Sequence, residues 1–303
     1  MKERYTSPSV SLGAILRWQL STLFHKRSAP SIPLSIVPQS DLPDGEYALW
    51  IGHATLWMRL GETTVVIDPV LGNLPLYRRH TLLPLPKNRL RTDVILITHA
   101  HYDHYDKDSV LFLLEQNPET IIVAPDGFWR YLQGKIDRER CFELEWWESV
   151  MIGGLFITLV PAKHWSNRIQ IDRNKALWGG YVIQNSTHTI YHSGDTAYGE
   201  HFKEIKERFS IDEAFLPIGA YLPREIMRHF HISPLEALKA TEDLGAKTLI
   251  PIHYGTFKLA DDSLNEPIEW FEELITSPYP FKPRILNIGE VYRFSTTSTF
   301  KST

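Results

Sequence analysis

The chain has 303 residues, 43% hydrophobic and 22% charged, an ordinary balance for a protein that buries a sizeable core. A net charge of −4 and a pI near 6.4 argue against a dedicated nucleic-acid binder, which would carry a strongly basic face. The single cysteine, Cys141, excludes an internal disulfide framework and any multi-cysteine metal site.

Along the chain, Leu12, Ile15, Leu16, Leu20, Leu23 and Phe24 recur at helical spacing, with Arg17, His25, Lys26 and Arg27 on the polar side. This predicts an amphipathic helix, either packed on the main domain or lying on a membrane surface. Arg17 breaks the apolar run and no small-residue cleavage pattern follows, so a signal peptide is not expected. No apolar run is long enough to span a bilayer. Residues 28–45 hold four prolines and read as an extended connection, which makes 1–45 an N-terminal element ahead of one domain over 46–303.

Strands are expected at "YALWIG", "TLWMRL" and "TVVIDP", with a hairpin at Gly61-Glu62-Thr63. The aperiodic, proline-bearing segment from Gly72 to Arg91 reads as a long functional or mobile loop. "DVILIT" is a buried strand, followed by a helix over 108–116, the strand "TIIVAP" and a helix in "DGFWRYLQ". Then come the strands "LFITLVPA", "GGYVIQ" and "HTIYHSG", a helix over 199–209 and the strand "EAFLPIG". A helix over 234–244, the strand "TLIPIH", a helix over 264–276 and the strand "EVYRFS" complete the pattern. Alternation of this kind predicts a layered α/β fold with helices outside packed sheets.

Between "DVILIT" and its helix lies "ITHAHYDHYD", where His99, His101, Asp103, His104 and Asp106 place five acid or imidazole side chains in eight residues. A polar surface turn rarely concentrates them so. His99 and His101 can face one cation from an extended turn, and Asp103 and His104 can turn toward a second. Imidazole with carboxylate is the usual donor set for Zn²⁺ and also suits Mn²⁺ or Fe²⁺. One stretch cannot fill two coordination shells, and three further donors stand at strand ends: His164 in "LVPAKHWS", Asp195 in "YHSGDTAY" and His253 in "LIPIHYGTF".

The order H-x-H-x-D-H, then His, then Gly-Asp-Thr, then His after a strand resembles the metallo-β-lactamase superfamily, over roughly residues 47 to 295. The segments "WIGHATLWMRL", "VPAKHWSNR", "LPIGAYLPREIM" and "HISPLEA" resemble, more narrowly, the branch that contains N-acylphosphatidylethanolamine-hydrolysing phospholipase D and its bacterial relatives. The resemblance implies a four-layer αββα sandwich. It assigns His99, His101 and His164 to one metal, Asp103, His104 and His253 to the other, and Asp195 as the bridge. It makes Asp68 in "VVIDPVL" a brace for the metal loop and His53 in "IGHAT" a supporting residue. His192 is expected to be buried with a packing role.

A water held by two divalent cations ionises near neutral pH and is the expected nucleophile, so neither a serine nor Cys141 is needed. Two such ions set against Asp103, Asp195 and one hydroxide leave the inner shell at about +1, which suits an anionic substrate. The resemblance places His231 on the substrate side, as a donor to a phosphoryl oxygen or leaving group, with a cap or core hydrogen-bonder as the alternative. Tyr221 and Arg224 lie in a segment expected near the pocket as phosphate contacts, Arg224 equally as a surface ion pair. The implied activity is phospholipase D-type hydrolysis of a glycerophospholipid. A lactonase or other carboxylic ester or amide hydrolase is the alternative, and a non-catalytic metal-binding membrane protein a further one. Leucines and Tyr77 with Arg78, Arg79, Lys87, Arg89 and Arg91 in the 74–91 segment suit peripheral contact with the inner face of a membrane from the cytoplasm. Nine tryptophans and thirteen tyrosines also suit a homodimer interface.

Overall fold

A computed structural model describes residues 2–8, 10, 13, 17–18, 34–169 and 171–294. The six apolar positions of the expected amphipathic helix, Leu12 to Phe24, lie outside the described residues. Near the N-terminus, helix α1 (Lys2–Tyr5) packs into the domain: Tyr5 is buried edge-on against Trp146, with ring centroids 5.0 Å apart. Residues 34–45 run over the surface, hooked by Val37 N–H to the Ile288 carbonyl (2.8 Å) and Gln39 N–H to that of Pro84 (2.7 Å). Both ends of the 1–45 segment are thus bonded to the domain that was expected to begin after it.

The first half carries β1 (Tyr47–Gly52), β2 (Thr55–Leu60), β3 (Thr63–Ile67), β4 (Val94–Leu96), α2 (Lys107–Gln116), β5 (Ile121–Pro125), α3 (Trp129–Leu132) and β6 (Cys141–Leu144). The second half carries β7 (Ser149–Ile152), β8 (Leu155–Val160), β9 (Gly180–Gln184), β10 (Thr189–His192), α4 (His201–Lys206), β11 (Glu213–Pro217), α5 (Arg224–Met227), α6 (Pro234–Leu244), β12 (Thr248–Ile252), α7 (Glu266–Leu274) and β13 (Lys282–Pro283). The last strand, β14 (Val291–Arg293), returns to the first sheet. One seven-stranded sheet has the order β14-β1-β2-β3-β4-β5-β6, the other β13-β12-β11-β10-β9-β8-β7.

Strand patterning explains the layering. In β1, Ala48 and Trp50 join the core between the sheets, while Tyr47, Leu49 and Ile51 pack on the outer face with Val110 and Leu113 of α2. A strand buried on both faces reads as a continuous apolar run, as "YALWIG" does. On the far side, Phe202 and Ile205 of α4 and Ala237, Leu238 and Leu244 of α6 close the outer face of the second sheet. The result is the αββα sandwich. Each fully buried leucine, such as Leu56, contributes enough that truncation to alanine costs about 2–5 kcal/mol.

Three expectations shift. The hairpin loop is Gly61-Glu62 alone, because Thr63 already pairs with Leu60. The helix expected in "DGFWRYLQ" shrinks to the single turn of α3: Gly127 stands at φ +78°, where a Cβ would come within 2.4 Å of the Lys175 carbonyl oxygen. Strands β6 and β7 were not anticipated, since both are short and carry charge or exposure at alternate positions.

Candidate metal centre

Every donor lies at one edge of the sandwich, where strands end. The run His99–His104 follows β4, His164 follows β8, Asp195 follows β10 and His253 follows β12, while His53 lies in the β1–β2 turn. His53, Asp68 and His253 all take positive φ (56°, 46° and 64°), a conformation non-glycine residues adopt only when their surroundings impose it. Gly194 stands at φ +60°, where a Cβ would approach Thr98 to 2.8 Å; its absence lets the Asp195 loop close onto the histidine run.

The side chains form two groups. His99, His101, His164 and Asp195 each bring one donor atom within 4.8 Å of the others, and so do His53, Asp103, His104 and His253. His99 Nε2 and His164 Nε2 lie 2.8 and 3.3 Å from His101 Nδ1. Asp195 Oδ2 is 3.9 Å from His99 Nε2 and 3.8 Å from His164 Nε2, yet only 3.1 Å from His104 Nε2. Asp195 Oδ1 is 3.1 Å from His253 Nε2, and Asp103 Oδ2 is 3.6 Å from that nitrogen. Asp195 therefore stands between the two groups, and all seven sequence-predicted donors are brought together.

The orientation of these atoms fits cations. Buried His104 Nε2, His253 Nε2, Asp195 Oδ1 and His231 Nδ1 have no hydrogen-bond partner, although two of the nitrogens stand 3.1 Å from Asp195. They converge on shared space without the alignment a hydrogen bond needs. A buried polar atom left unsatisfied costs about 1–3 kcal/mol, so a cluster of them is expected only where something else is to be held. The opposite ring nitrogens are fixed from behind. His104 Nδ1–H donates to Asp68 Oδ2 (2.6 Å) and His164 Nδ1–H to the Phe230 carbonyl (3.0 Å), which turns each Nε2 inward.

Charge follows the same logic. Burial, reinforced by neighbouring imidazoles, holds His99 and His164 well below the usual histidine range, and burial brings His101 and His231 down to about 4. These rings are neutral at pH 7, as metal donors must be. Burial opposes ionisation of Asp103 and Asp195, but His104 and its neighbouring imidazoles hold both carboxyls well below the carboxylate range. Burial likewise disfavours a charged His104, yet Asp195, Asp103 and Asp68 together raise it well above its ordinary value. Without cations, the carboxylates thus draw a proton onto the central ring.

Supporting residues complete the edge. Asp68 accepts from Thr98 N–H (2.8 Å), Thr98 Oγ1–H (2.6 Å) and His104, so one carboxylate ties β3 to the start of the histidine run. His53, held neutral by burial with its pKa lowered to about 3, donates from Nε2 to Asp103 Oδ2 (3.1 Å). His192 is fully buried; Nε2–H donates to the Ala54 carbonyl and Nδ1 accepts from Gly194 N–H, linking the two sheets just before Asp195. Asp106, the last acid of the run, caps α2 by accepting from Ser109 N–H.

Tyr221 and Arg224 are committed within the chain, Arg224 in the ion pair that was the alternative to a phosphate contact. The Tyr221 hydroxyl donates to Glu266 (2.7 Å), and the Arg224 guanidinium forks onto Glu236 (2.8 and 2.9 Å) and donates to the His231 carbonyl (3.1 Å). Arg224 therefore positions His231, whose Nδ1 lies 3.8 Å from Asp195 Oδ2. Arg79, expected among the exposed basic groups, turns inward to the carbonyls of Ile51, Val70 and Thr81. Sequence reasoning passed over Arg168, which stacks on Tyr102 and Tyr105 (3.7 and 4.9 Å to the ring centroids) and donates to the Tyr105 carbonyl. It also missed the N-terminal segment, where Ser7 N–H donates to the His164 carbonyl (2.8 Å) and His164 N–H to that of Tyr5 (3.1 Å). Only the arginine in "HWSNR" offered a signal for the first; the second had none.

A two-group histidine–aspartate centre at the strand-end edge of an αββα sandwich defines a metal-dependent hydrolase of the metallo-β-lactamase fold. A family model described as "Beta-lactamase superfamily domain" matches residues 63–254, and the chain belongs to that superfamily. An uncharacterized protein of Mycobacterium tuberculosis is 31% identical over 274 residues, covering 84% of this chain and 71% of its own length. N-acyl-phosphatidylethanolamine-hydrolyzing phospholipase D 1 of Caenorhabditis elegans is 30% identical over 272 residues, covering 83% and 76%. A metallo hydrolase structure from Ignicoccus hospitalis shares the fold with a TM-score of 0.65 at 24% identity, covering 82% of this chain and 98% of that one. Within the superfamily, the chain falls in the branch that contains the N-acylphosphatidylethanolamine-hydrolysing phospholipases D.

Proposed function

We propose that the protein is a dinuclear phosphodiesterase of phospholipase D type, acting on an N-acylphosphatidylethanolamine-like glycerophospholipid. The observation that carries the reading is Asp195 standing between two donor groups with its Oδ1 unpartnered. Two Zn²⁺ ions held there, by His99, His101 and His164 and by Asp103, His104 and His253, would supply activated water and charge stabilisation for hydrolysis of an anionic ester.

The chain's own residues prepare that chemistry. Asp68 and the Phe230 carbonyl engage Nδ1 of His104 and His164, so that Nε2 of each ring is the nitrogen that faces the centre. His231, neutral and partnerless at Nδ1, is placed to bond a phosphoryl oxygen or to hand a proton to the leaving alkoxide. The choice of a lipid substrate is supported by the branch and by exposed apolar side chains: Leu76 and Leu82 in the 72–91 loop, and Tyr102, Ile169 and Ile171 near Arg168 in sequence or contact. With exposed Arg78 they suit peripheral contact with an anionic membrane, each basic group adding about 1 kcal/mol. No helix among the described residues is long and apolar enough to cross a bilayer.

The test is metal content by elemental analysis, with hydrolysis of bis(p-nitrophenyl) phosphate and of N-acylphosphatidylethanolamine vesicles followed by mass spectrometry. Two metal equivalents, release of phosphatidic acid and loss of both activities in Asp195→Ala are expected. Full metal occupancy with no diesterase activity would overturn the phosphodiesterase reading and move lactones forward.

A further inference from the structure

We infer that His188, Asp212 and Glu213 form a further divalent-cation site of Zn²⁺ type, at the opposite edge of the sandwich from the candidate centre. Strands β10 and β11 run parallel, and their far ends point toward the edge that carries Asp195. His188 immediately precedes β10, while Asp212 and Glu213 stand at the start of β11. The site is therefore about a strand length away from the centre and shares no residue with it.

Three features argue for it. One donor atom from each residue lies within 4.8 Å of the others, and one imidazole with two carboxylates is a donor set that zinc favours. The donors are already oriented: the His188 ring lies 5.2 Å from that of Phe294, and Asp212 Oδ2 accepts from Thr189 N–H (2.8 Å). Most telling is Glu213, which is only 3% exposed. Its Oε1 accepts a long hydrogen bond from the Tyr292 hydroxyl (3.3 Å), and its Oε2 is buried with no partner. Burial first, and Asp212 beside it, push its carboxyl up to about 7. A buried acid so poorly satisfied is a cost that a bound cation would remove.

The local charge has the matching deficit. Glu46 Oε2 lies 3.4 Å from His188 Nε2, so three carboxylates surround the imidazole. Their direct counter-charge is Lys247, 2.6 Å from Asp212 Oδ1 and itself 61% exposed. A divalent ion would balance the remainder and displace a surface lysine at little cost. All three donors belong to the second sheet, and Glu46, which leads into β1 of the first, reaches the site only through His188.

The experiment compares wild type with the double variant His188→Ala/Glu213→Gln, each equilibrated at fixed free Zn²⁺, by elemental analysis and by the melting temperature with and without Zn²⁺. One fewer zinc per chain in the double variant, with the other equivalents retained, is expected. Identical zinc content would overturn the site and leave Glu213 a buried protonated acid. Lys247→Ala changes only the exposed competitor and tests the site without disturbing the core. It should tighten the weakest zinc equivalent by about fivefold, as removal of one nearby like charge predicts; unchanged or weaker binding would equally overturn the site.

Discussion

The two sheets furnish the candidate centre in opposite ways. The first sends out four donors in one run of six residues, His99 to His104, from a loop that belongs to no regular element. The second sends three isolated donors, His164, Asp195 and His253, each fixed just beyond the end of its own strand. A loop has no ladder to hold it, and here it is gripped by side chains: Asp68 from β3, Arg168 across Tyr102 and Tyr105, and Ser166, whose Oγ accepts from Ala100 N–H (3.1 Å). Asp195 and His253 inherit their places from the parallel strands β10 and β12, whereas His164, beyond antiparallel β8, is backed by Tyr5, Ser7 and Phe230. The difference teaches where each half is vulnerable.

The largest effect should come from the one residue both halves share. Asp195→Ala is expected to reduce hydrolysis to the uncatalysed rate and to lower bound metal, measured together by turnover and elemental analysis; retained activity would remove Asp195 from its place between the groups. Next is the brace of the first half. Asp68→Ala should weaken metal affinity about 10–100-fold, because His104 loses the partner that sets its tautomer, and competition with a chromophoric chelator reads it directly. If affinity is unchanged, the run of donors holds itself and the contrast fails.

Chelation ranks third. Stripping the metals should lower the melting temperature, since ions at a hundredfold excess over their dissociation constant add about 2.7 kcal/mol. In Arg168→Ala the metal-free melting temperature should fall further, because the loop then keeps only its grips on Asp68 and Ser166. The smallest effect concerns the second half. His201, buried behind the Asp195 loop with Nε2 3.1 Å from Thr196 Oγ1, has its pKa lowered by burial from an ordinary 6.5 to about 3. The unfolded chain therefore binds more protons between those values, and stability falls as pH drops through that window. His201→Gln keeps a polar partner for Thr196 and should flatten the acid limb of a urea-denaturation series between pH 4 and 6.5. An unchanged slope would show that other groups dominate it.

Much of this was legible in the sequence, for physical reasons that differ by region. The strands of the core could be read because burial on both faces leaves continuous apolar runs, as in β1 and β12. Helix α6 could be read because Ser233, Pro234, Glu236 and Gly245 give it a capping box, a proline start and a left-handed stop. The histidine run was legible because it is contiguous, and the three strand-end donors because each follows an apolar strand. What stayed hidden depends on partners distant in sequence. Nothing near Arg79 says that its guanidinium turns inward, nor near Tyr221 that Glu266 receives its hydroxyl.

The pairing of Tyr5 and Ser7 with His164 also constrains how the molecule is assembled. Tyr5 and Ser7 leave the ribosome far ahead of their partner; Ser7 and Lys163, joined by a hydrogen bond, are 156 positions apart. The stretch that backs one donor histidine must wait, unpaired, until β8 has been made, so His164 gains its final backing late in synthesis.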